Sequence, residues 1–85
     1  MIAFSYTIKD KLGIHARPAG SLAKVAKDFK SEIFVELGDK KVPVSKIIAI
    51  MGMGIKYNDT VTVTASGEDE KEAAEAIKKF FEDNL

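Results

Sequence analysis

The chain has 85 residues, of which 46% are hydrophobic, and its 13 basic residues balance its 13 acidic ones. This length fits one domain over residues 1–85, and this apolar fraction argues against an intrinsically disordered chain. Zero net charge disfavours nucleic acid or an anionic membrane as the main partner, and the absence of cysteine excludes disulfides and thiol chemistry.

The N-terminal segment predicts a strand followed by a helix. From Ile2 to Ile8, apolar residues alternate with more polar ones, which is the period of a half-buried strand. From Ala16 to about Phe29, apolar residues recur at helical spacing, and Pro18 falls in the first turn, where its missing N–H is not needed. The chain starts without the pattern of a signal peptide and has no membrane-spanning stretch, so we expect a cytoplasmic protein without membrane insertion.

The middle of the chain predicts two short strands and a short helix. Residues Ile33 to Leu37 alternate, Gly38-Asp39 is typical of a tight hairpin turn, and a strand over Val42 to Val44 follows. Pro43 cannot donate to a ladder, so this strand is expected at the edge of a sheet.

The short helix is predicted over Lys46 to Met51, with Ser45 as its N-terminal cap and Gly52 at its end.

The C-terminal part predicts one more strand and one more helix. Residues Thr60 to Ala65 alternate valine or alanine with threonine, and Ser66-Gly67 breaks the strand. Asp69 and Glu72 have the spacing of a capping box. The buried stripe of the last helix is predicted to consist of Ala73, Ile77, Phe80 and Phe81.

The predicted order is strand, helix, strand, strand, helix, strand, helix. Each strand has a single apolar face, so the helices should cover one side of an antiparallel sheet, which places the chain in the α+β class.

The stretch Gly13 to Ala19, GIHARPA, carries the chemistry that we expect. His15, the only histidine, lies just before the first helical turn, where backbone N–H groups have no intrahelical partner and the helix dipole is positive. A phosphoryl group on His15 would meet these donors, and the guanidinium of Arg17 can pair with phosphate oxygens. Spacing alone does not decide the role, because a lone histidine near a helix start is more often a capping or exposed residue than a nucleophile, and an arginine such as Arg17 is usually a solvated charge. A multi-histidine metal site is excluded within one chain, and we expect no cofactor.

The motif GIHARPA followed by Gly20 resembles the phosphohistidine signature of HPr, the family of histidine-containing phosphocarriers of the bacterial sugar phosphotransferase system. The resemblance extends along essentially the whole chain without a gap. It implies an open-faced β-sandwich, with a four-stranded antiparallel sheet covered on one face by three helices. It also implies that enzyme I, charged from phosphoenolpyruvate, phosphorylates His15 on Nδ1. By the same resemblance, His15 would then donate to the IIA domains of sugar permeases, which would make the protein a relay component and not a turnover enzyme.

The segment SKIIAIMGMG, residues 45–54, has too many apolar residues for one face of a short helix. Part of it should therefore be exposed, as in a docking surface, although a core helix with a few exposed side chains is the alternative. The resemblance implies that enzyme I and the acceptors dock here. The docking residues would be Ala16, Gly20, Lys24, Ile47, Ile48 and Met51.

At one position the chain departs from the family pattern. Many members carry a regulatory serine at the start of the short helix, and Lys46 occupies this position here. We therefore do not expect regulation by a serine kinase at residue 46. Ser45 is a candidate acceptor one residue out of register, but a simple N-cap is the interpretation that we favour.

Three functions other than that of a sugar phosphocarrier are compatible with a chain of this kind to different degrees. A carrier of the nitrogen-related branch would have the same motif and different partners. A non-catalytic regulatory module on the same fold would lack the histidine and act through the serine, which is the opposite of His15 with Lys46. A nucleic-acid binder would require a basic face with exposed aromatics. We expect a monomer, with regulatory proteins as a further class of partner.

Overall fold

Three helices cover one face of a four-stranded antiparallel sheet in the computed structural model, which describes all 85 residues. The strands are β1 (Ile2–Thr7), β2 (Glu32–Leu37), β3 (Lys40–Pro43) and β4 (Thr60–Ser66). The helices are α1 (Ala16–Ala26), α2 (Ile47–Gly52) and α3 (Glu70–Asn84). The predicted order of elements and the predicted fold class are confirmed.

The strand order in the sheet is β1-β4-β2-β3, and all neighbours are antiparallel. The hairpin between β2 and β3 turns at Gly38-Asp39, and Gly38 has a φ of 62°, as the first central residue of such a turn requires. Strand β3 lies at an edge of the sheet, where Pro43 removes no ladder hydrogen bond from the interior.

The hydrophobic core lies between the sheet and the helices. Along β4, Val61, Val63 and Ala65 are buried toward the helices, whereas Thr60 is exposed on the other face. In α3, Phe81 is fully buried and stacks edge-on against Tyr6 with ring centroids 5.5 Å apart.

The prediction for the buried stripe of α3 needs one adjustment. Phe81 completes a stripe with Ala73 and Ile77 at four-residue spacing, whereas Phe80 is only partly buried and lies beside this stripe.

Helix α1 ends at Ala26, three residues before the predicted end at Phe29. From Asp28 onward the backbone N–H groups bond to the carbonyl three residues earlier, as in a tightening turn: Asp28 donates to Val25 and Phe29 to Ala26, each at 3.2 Å. The next two N–H groups leave the helix altogether, because those of Lys30 and Ser31 donate to a distant carboxylate.

That carboxylate belongs to Asp69, the N-cap residue of α3. It accepts the N–H of Lys30 at 2.9 Å and both the N–H and the hydroxyl of Ser31, at 2.9 and 2.6 Å. The hydrogen bond from the Ser31 hydroxyl, with those from the two backbone groups, lowers the pKa of the Asp69 carboxyl.

The predicted capping box is therefore wrong in its contacts. Asp69 is the N-cap residue but makes no side-chain cap hydrogen bond. The side chain of Glu70, not that of Glu72, reaches back to the preceding loop and accepts the N–H of Gly67 at 3.2 Å.

The predicted cap of α2 is also wrong. The N-cap residue is Lys46, whose carbonyl accepts the N–H of Ile50 at 2.9 Å, and it provides no side-chain cap. Ser45 instead lies in a turn closed by the N–H of Lys46 bonding to the carbonyl of Pro43 at 3.1 Å. The first turn of α2 therefore lacks the side-chain acceptor that the sequence suggested.

None of the three helices combines the length and the apolar character that crossing a membrane requires. No group of three or more His, Cys, Asp or Glu side chains is placed to hold a metal ion.

Candidate functional site

The loop that leads into α1 is held by its own backbone and by one carboxylate. The side chain of Asp10 accepts the N–H of Leu12 at 2.8 Å, and its carbonyl accepts the N–H of Gly13 at 3.0 Å. The N–H of Ile14 donates to the carbonyl of Ile55 at 3.1 Å, which ties the loop to the segment after α2. These bonds fix the chain immediately before His15.

Gly13 is required at its position for two reasons. Its φ of 68° lies in the left-handed region, and a Cβ at this residue would lie only 2.8 Å from the Cα of Lys56 and still closer to the carbonyl oxygen of Ile55. Any side chain would therefore push the loop away from residues 55 and 56. The glycine of the motif sets the position of the histidine two residues later.

His15 is the N-cap residue of α1. Its backbone is extended, with φ −120° and ψ −171°, and its carbonyl accepts the N–H of Ala19 at 3.0 Å. Its imidazole makes no cap hydrogen bond, so the ring is not used to hold the helix. The capping interpretation of the side chain, which the sequence left open, is therefore wrong for this histidine.

The first turn of α1 presents free donors next to this ring. The N–H groups of Ala16 and Arg17 have no backbone acceptor, and Pro18 has no N–H to satisfy. The positive end of the helix dipole lies at the same place. None of the three ion pairs of the protein involves Arg17, so its exposed guanidinium is available to an anion.

His15 and Arg17 line one cleft, which we name the His15 cleft. Its lining residues are Asp10, His15, Arg17, Pro18, Ser21, Phe80 and Asn84. The side chain of Asn84 donates to the carbonyl of Phe80 at 3.0 Å at the end of α3. The half-exposed imidazole thus lines an open, mostly polar cleft that holds one cation and one carboxylate.

Sequence reasoning did not identify four of these lining residues. Ser21 lies one turn after Arg17 on α1, so helical spacing could have suggested it. Phe80 and Asn84 come from the other end of the chain, and no local pattern places them beside a motif near residue 15. Asp10 lies in the loop between β1 and α1, and nothing in its sequence neighbourhood places its side chain beside His15.

The predicted docking residues divide into two groups on two helices that pack against each other. On α1, Ala16 and Lys24 are exposed and Gly20 is half-buried.

On α2, the side chain of Ile48 is 80% exposed, and those of Ile47 and Met51 are 38% and 39% exposed, whereas Ile50 is fully buried. One residue thus anchors α2 to the core while three apolar ones face outward. Ser45 and Lys46 are exposed at the start of the same helix.

Comparison with known proteins gives a consistent result. Residues 2–83 match the family model PTS-HPr, described as the PTS HPr component phosphorylation site. The chain belongs to the HPr family. Members of the HPr family are phosphocarriers of the phosphotransferase system and not catalytic enzymes.

Three relatives illustrate the breadth of the match. The phosphocarrier protein HPr of Mycoplasma genitalium is 46% identical over 99% of this chain and 97% of its own length. The structure of a histidine-containing phosphocarrier protein from Mycoplasma superposes with a TM-score of 0.92, at 40% identity, covering 96% of this chain and 93% of that one. The Bacillus subtilis protein Crh, whose structure is described as a domain-swapped dimer, superposes with a TM-score of 0.79 at 32% identity. The match covers 100% of this chain and 98% of the Crh chain.

Proposed function

We propose that this protein accepts a phosphoryl group on His15 from phosphorylated enzyme I and passes it to the IIA domains of sugar permeases. The observation that carries the proposal is the placement of an uncommitted imidazole at the N-cap of α1, beside two free backbone N–H groups and Arg17. Membership of the HPr family supports the same assignment. We further propose that the protein acts in the cytoplasm.

The transfer step uses a ring nitrogen of His15 as the nucleophile, which we assign to Nδ1. Its lone pair forms a bond to phosphorus while the bond from phosphorus to the donor breaks, and that electron pair leaves with the donor. The free N–H groups of Ala16 and Arg17 donate hydrogen bonds to the phosphoryl oxygens, and the Arg17 guanidinium neutralises part of the charge of these oxygens.

A carrier must release the group as readily as it binds it. The His15 cleft is open, and helix-end effects on exposed charges amount to about 0.3–1 kcal/mol, so the phosphorylated state is only weakly stabilised. Transfer between two proteins needs in-line positioning more than a deep pocket, and the partner can supply the remaining contacts.

The docking surface consists of Ile47, Ile48 and Met51 of α2 with Ala16, Gly20 and Lys24 of α1. Exposed apolar side chains next to a reactive group are typical of a protein interaction site. Methionine and isoleucine on this surface allow the successive use of one face by donor and acceptors.

The test is intact-mass spectrometry after incubation with phosphoenolpyruvate, Mg²⁺ and a bacterial enzyme I. We expect one acid-labile phosphoryl adduct on the protein and none on a folded His15→Ala variant. An Arg17→Ala variant should still accept the group, but more slowly. A folded wild-type protein that gains no adduct from several enzymes I would overturn the proposal.

A second candidate is a regulatory module, which the match to Crh favours. Against this candidate, residue 46 is lysine and His15 is present. A carrier of the nitrogen-related branch differs only in its partners, so transfer assays with acceptors of both branches separate the two.

We propose that the protein is a monomer in solution. The related protein Crh is described as a dimer, so the oligomeric state needs a direct test. Light scattering during gel filtration should report the mass of one chain, and the mass of two chains would contradict the proposal.

A further inference from the structure

The His15 cleft contains a carboxylate that the proposed transfer step does not use, that of Asp10. This side chain is not free to turn away, because one of its oxygens accepts the N–H of Leu12 at 2.8 Å. Its backbone is held as well, since its N–H donates to the carbonyl of Leu85 at 2.8 Å and its carbonyl accepts from Gly13. A fixed negative charge therefore lies in the same cleft as the proposed phosphoryl acceptor.

We propose that Asp10 is an electrostatic tuning residue that destabilises the phosphorylated form of His15. The inference rests on the proposed function. A phosphoryl group carries nearly two negative charges at neutral pH, so Asp10 repels it in the cleft. Asp10 also attracts the Arg17 guanidinium and so competes with the phosphoryl group for it.

The consequence is thermodynamic. In the unphosphorylated protein the Asp10 carboxylate has little effect on the free energy, or lowers it slightly by attracting Arg17. In the phosphorylated protein it raises the free energy by repelling the phosphoryl group. The equilibrium for transfer onto His15 becomes less favourable, and onward transfer to an acceptor becomes more favourable by the same factor. Asp10 thereby raises the phosphoryl transfer potential of His15 without touching the group.

The variant that isolates this effect is Asp10→Asn. The amide oxygen of asparagine can still accept the N–H of Leu12, so the loop keeps its bond while the charge is lost. For charges that share an open cleft, we expect an effect on the order of two- to fivefold at low salt, and a smaller effect at high salt.

The matched control is Asp28→Asn, which changes net charge by the same amount. Asp28 is exposed beyond the C-terminal end of α1, and at the rise of a helix it lies roughly 20 Å along the chain axis from His15. At this distance through water a charge acts much more weakly than one inside the cleft, and it is largely screened at physiological ionic strength.

The experiment measures the phosphorylated fraction of each protein at equilibrium with enzyme I and a series of phosphoenolpyruvate:pyruvate ratios. An equilibrium constant does not depend on how well enzyme I docks, so altered binding cannot mimic the effect. We expect a two- to fivefold larger constant for Asp10→Asn at low salt, convergence with the wild type at high salt, and a clearly smaller shift for Asp28→Asn.

Equal constants for the wild type and Asp10→Asn at low salt would overturn the inference, as would an equal shift in Asp28→Asn. Failure of the proposed function looks different, because then the wild type itself takes up no phosphoryl group. If Asp10→Asn lowers the melting temperature, Asp10→Ser, which also keeps an oxygen acceptor, is measured in its place.

Discussion

The backbone of Gly13 packs directly against the carbonyl of Ile55, and this contact places His15. The two segments are joined by the hydrogen bond from the N–H of Ile14 to the same carbonyl, at 3.1 Å. A Cβ at residue 13 would not fit between the loop and Lys56. The site therefore depends on a contact between the start of the chain and the segment that follows α2.

Gly13→Ala should lower both stability and phosphoryl uptake. The positive φ and the close approach together should cost about 1–3 kcal/mol in the free energy of unfolding. We expect a lower melting temperature and slower phosphorylation of His15 at a temperature where the variant is folded.

The matched control is Gly52→Ala. Gly52 is helical, has no positive φ, and a Cβ there would meet nothing within 4 Å. This variant should keep or raise the melting temperature by virtue of helix propensity. If both variants behave alike, the contact with Ile55 does not position the loop.

Two neighbouring isoleucines of α2 should separate docking from folding. Ile48→Ala removes a side chain that is 80% exposed, so stability should hardly change while the KM of enzyme I for the protein rises several-fold. Ile50→Ala removes a fully buried side chain and should cost about 2–5 kcal/mol of stability. Steady-state phosphorylation kinetics with thermal melts measure both; an unchanged KM for Ile48→Ala would remove it from the docking surface.

Lys46→Ser should stabilise the protein. Lys46 is the N-cap residue of α2 and provides no side-chain acceptor, and serine at this position should add about 0.5–2 kcal/mol. Ser45→Ala is the control: the Ser45 hydroxyl does not cap the helix, so its loss should be neutral. Thermal melts that rank these two variants in the opposite order would contradict the cap assignment.

Asp69 should make stability depend on acid pH. Its pKa is lowered in the folded protein by the Ser31 hydroxyl and the backbone N–H groups of Lys30 and Ser31. The carboxylate therefore stabilises the fold above the unfolded pKa of about 3.9, and this contribution is lost as the pH falls through the lower folded pKa.

Asp69→Asn should accordingly melt at a lower temperature than the wild type at pH 7. The difference should shrink as the pH falls below about 4, because the carboxyl then becomes protonated first in the unfolded chain and, at still lower pH, in the folded protein. Asp39→Asn, in the exposed hairpin turn, should show no such convergence. A wild-type advantage that stays constant down to pH 2 would mean that the charge of Asp69 does not matter.

The extent to which the sequence predicts this structure follows from the range of the interactions involved. Periodicity and turn residues are local signals, and they predicted the order of elements, the turn at Gly38 and the edge position of β3. The contacts of Asp69 with Lys30 and Ser31 span 39 and 38 residues. No local pattern distinguishes such a carboxylate from a helix cap.

The candidate site shows the same division. His15 and Arg17 could be predicted because one short motif contains both of them. The presence of Asp10 in the cleft depends on the path of the loop, and Phe80 and Asn84 enter it only because α3 packs against α1. The N-cap of α2 is Lys46 and not the predicted Ser45, because the turn that follows Pro43 includes Ser45.

Acceptance and onward transfer of a phosphoryl group at His15 are tested together, and most directly, by a chase experiment. The phosphorylated protein, freed of enzyme I and phosphoenolpyruvate, is mixed with a IIA domain, and both masses are followed over time. We predict that the adduct leaves this protein and appears on the IIA domain in equal amount. An adduct that stays in place, or that is lost only as inorganic phosphate, would contradict the account.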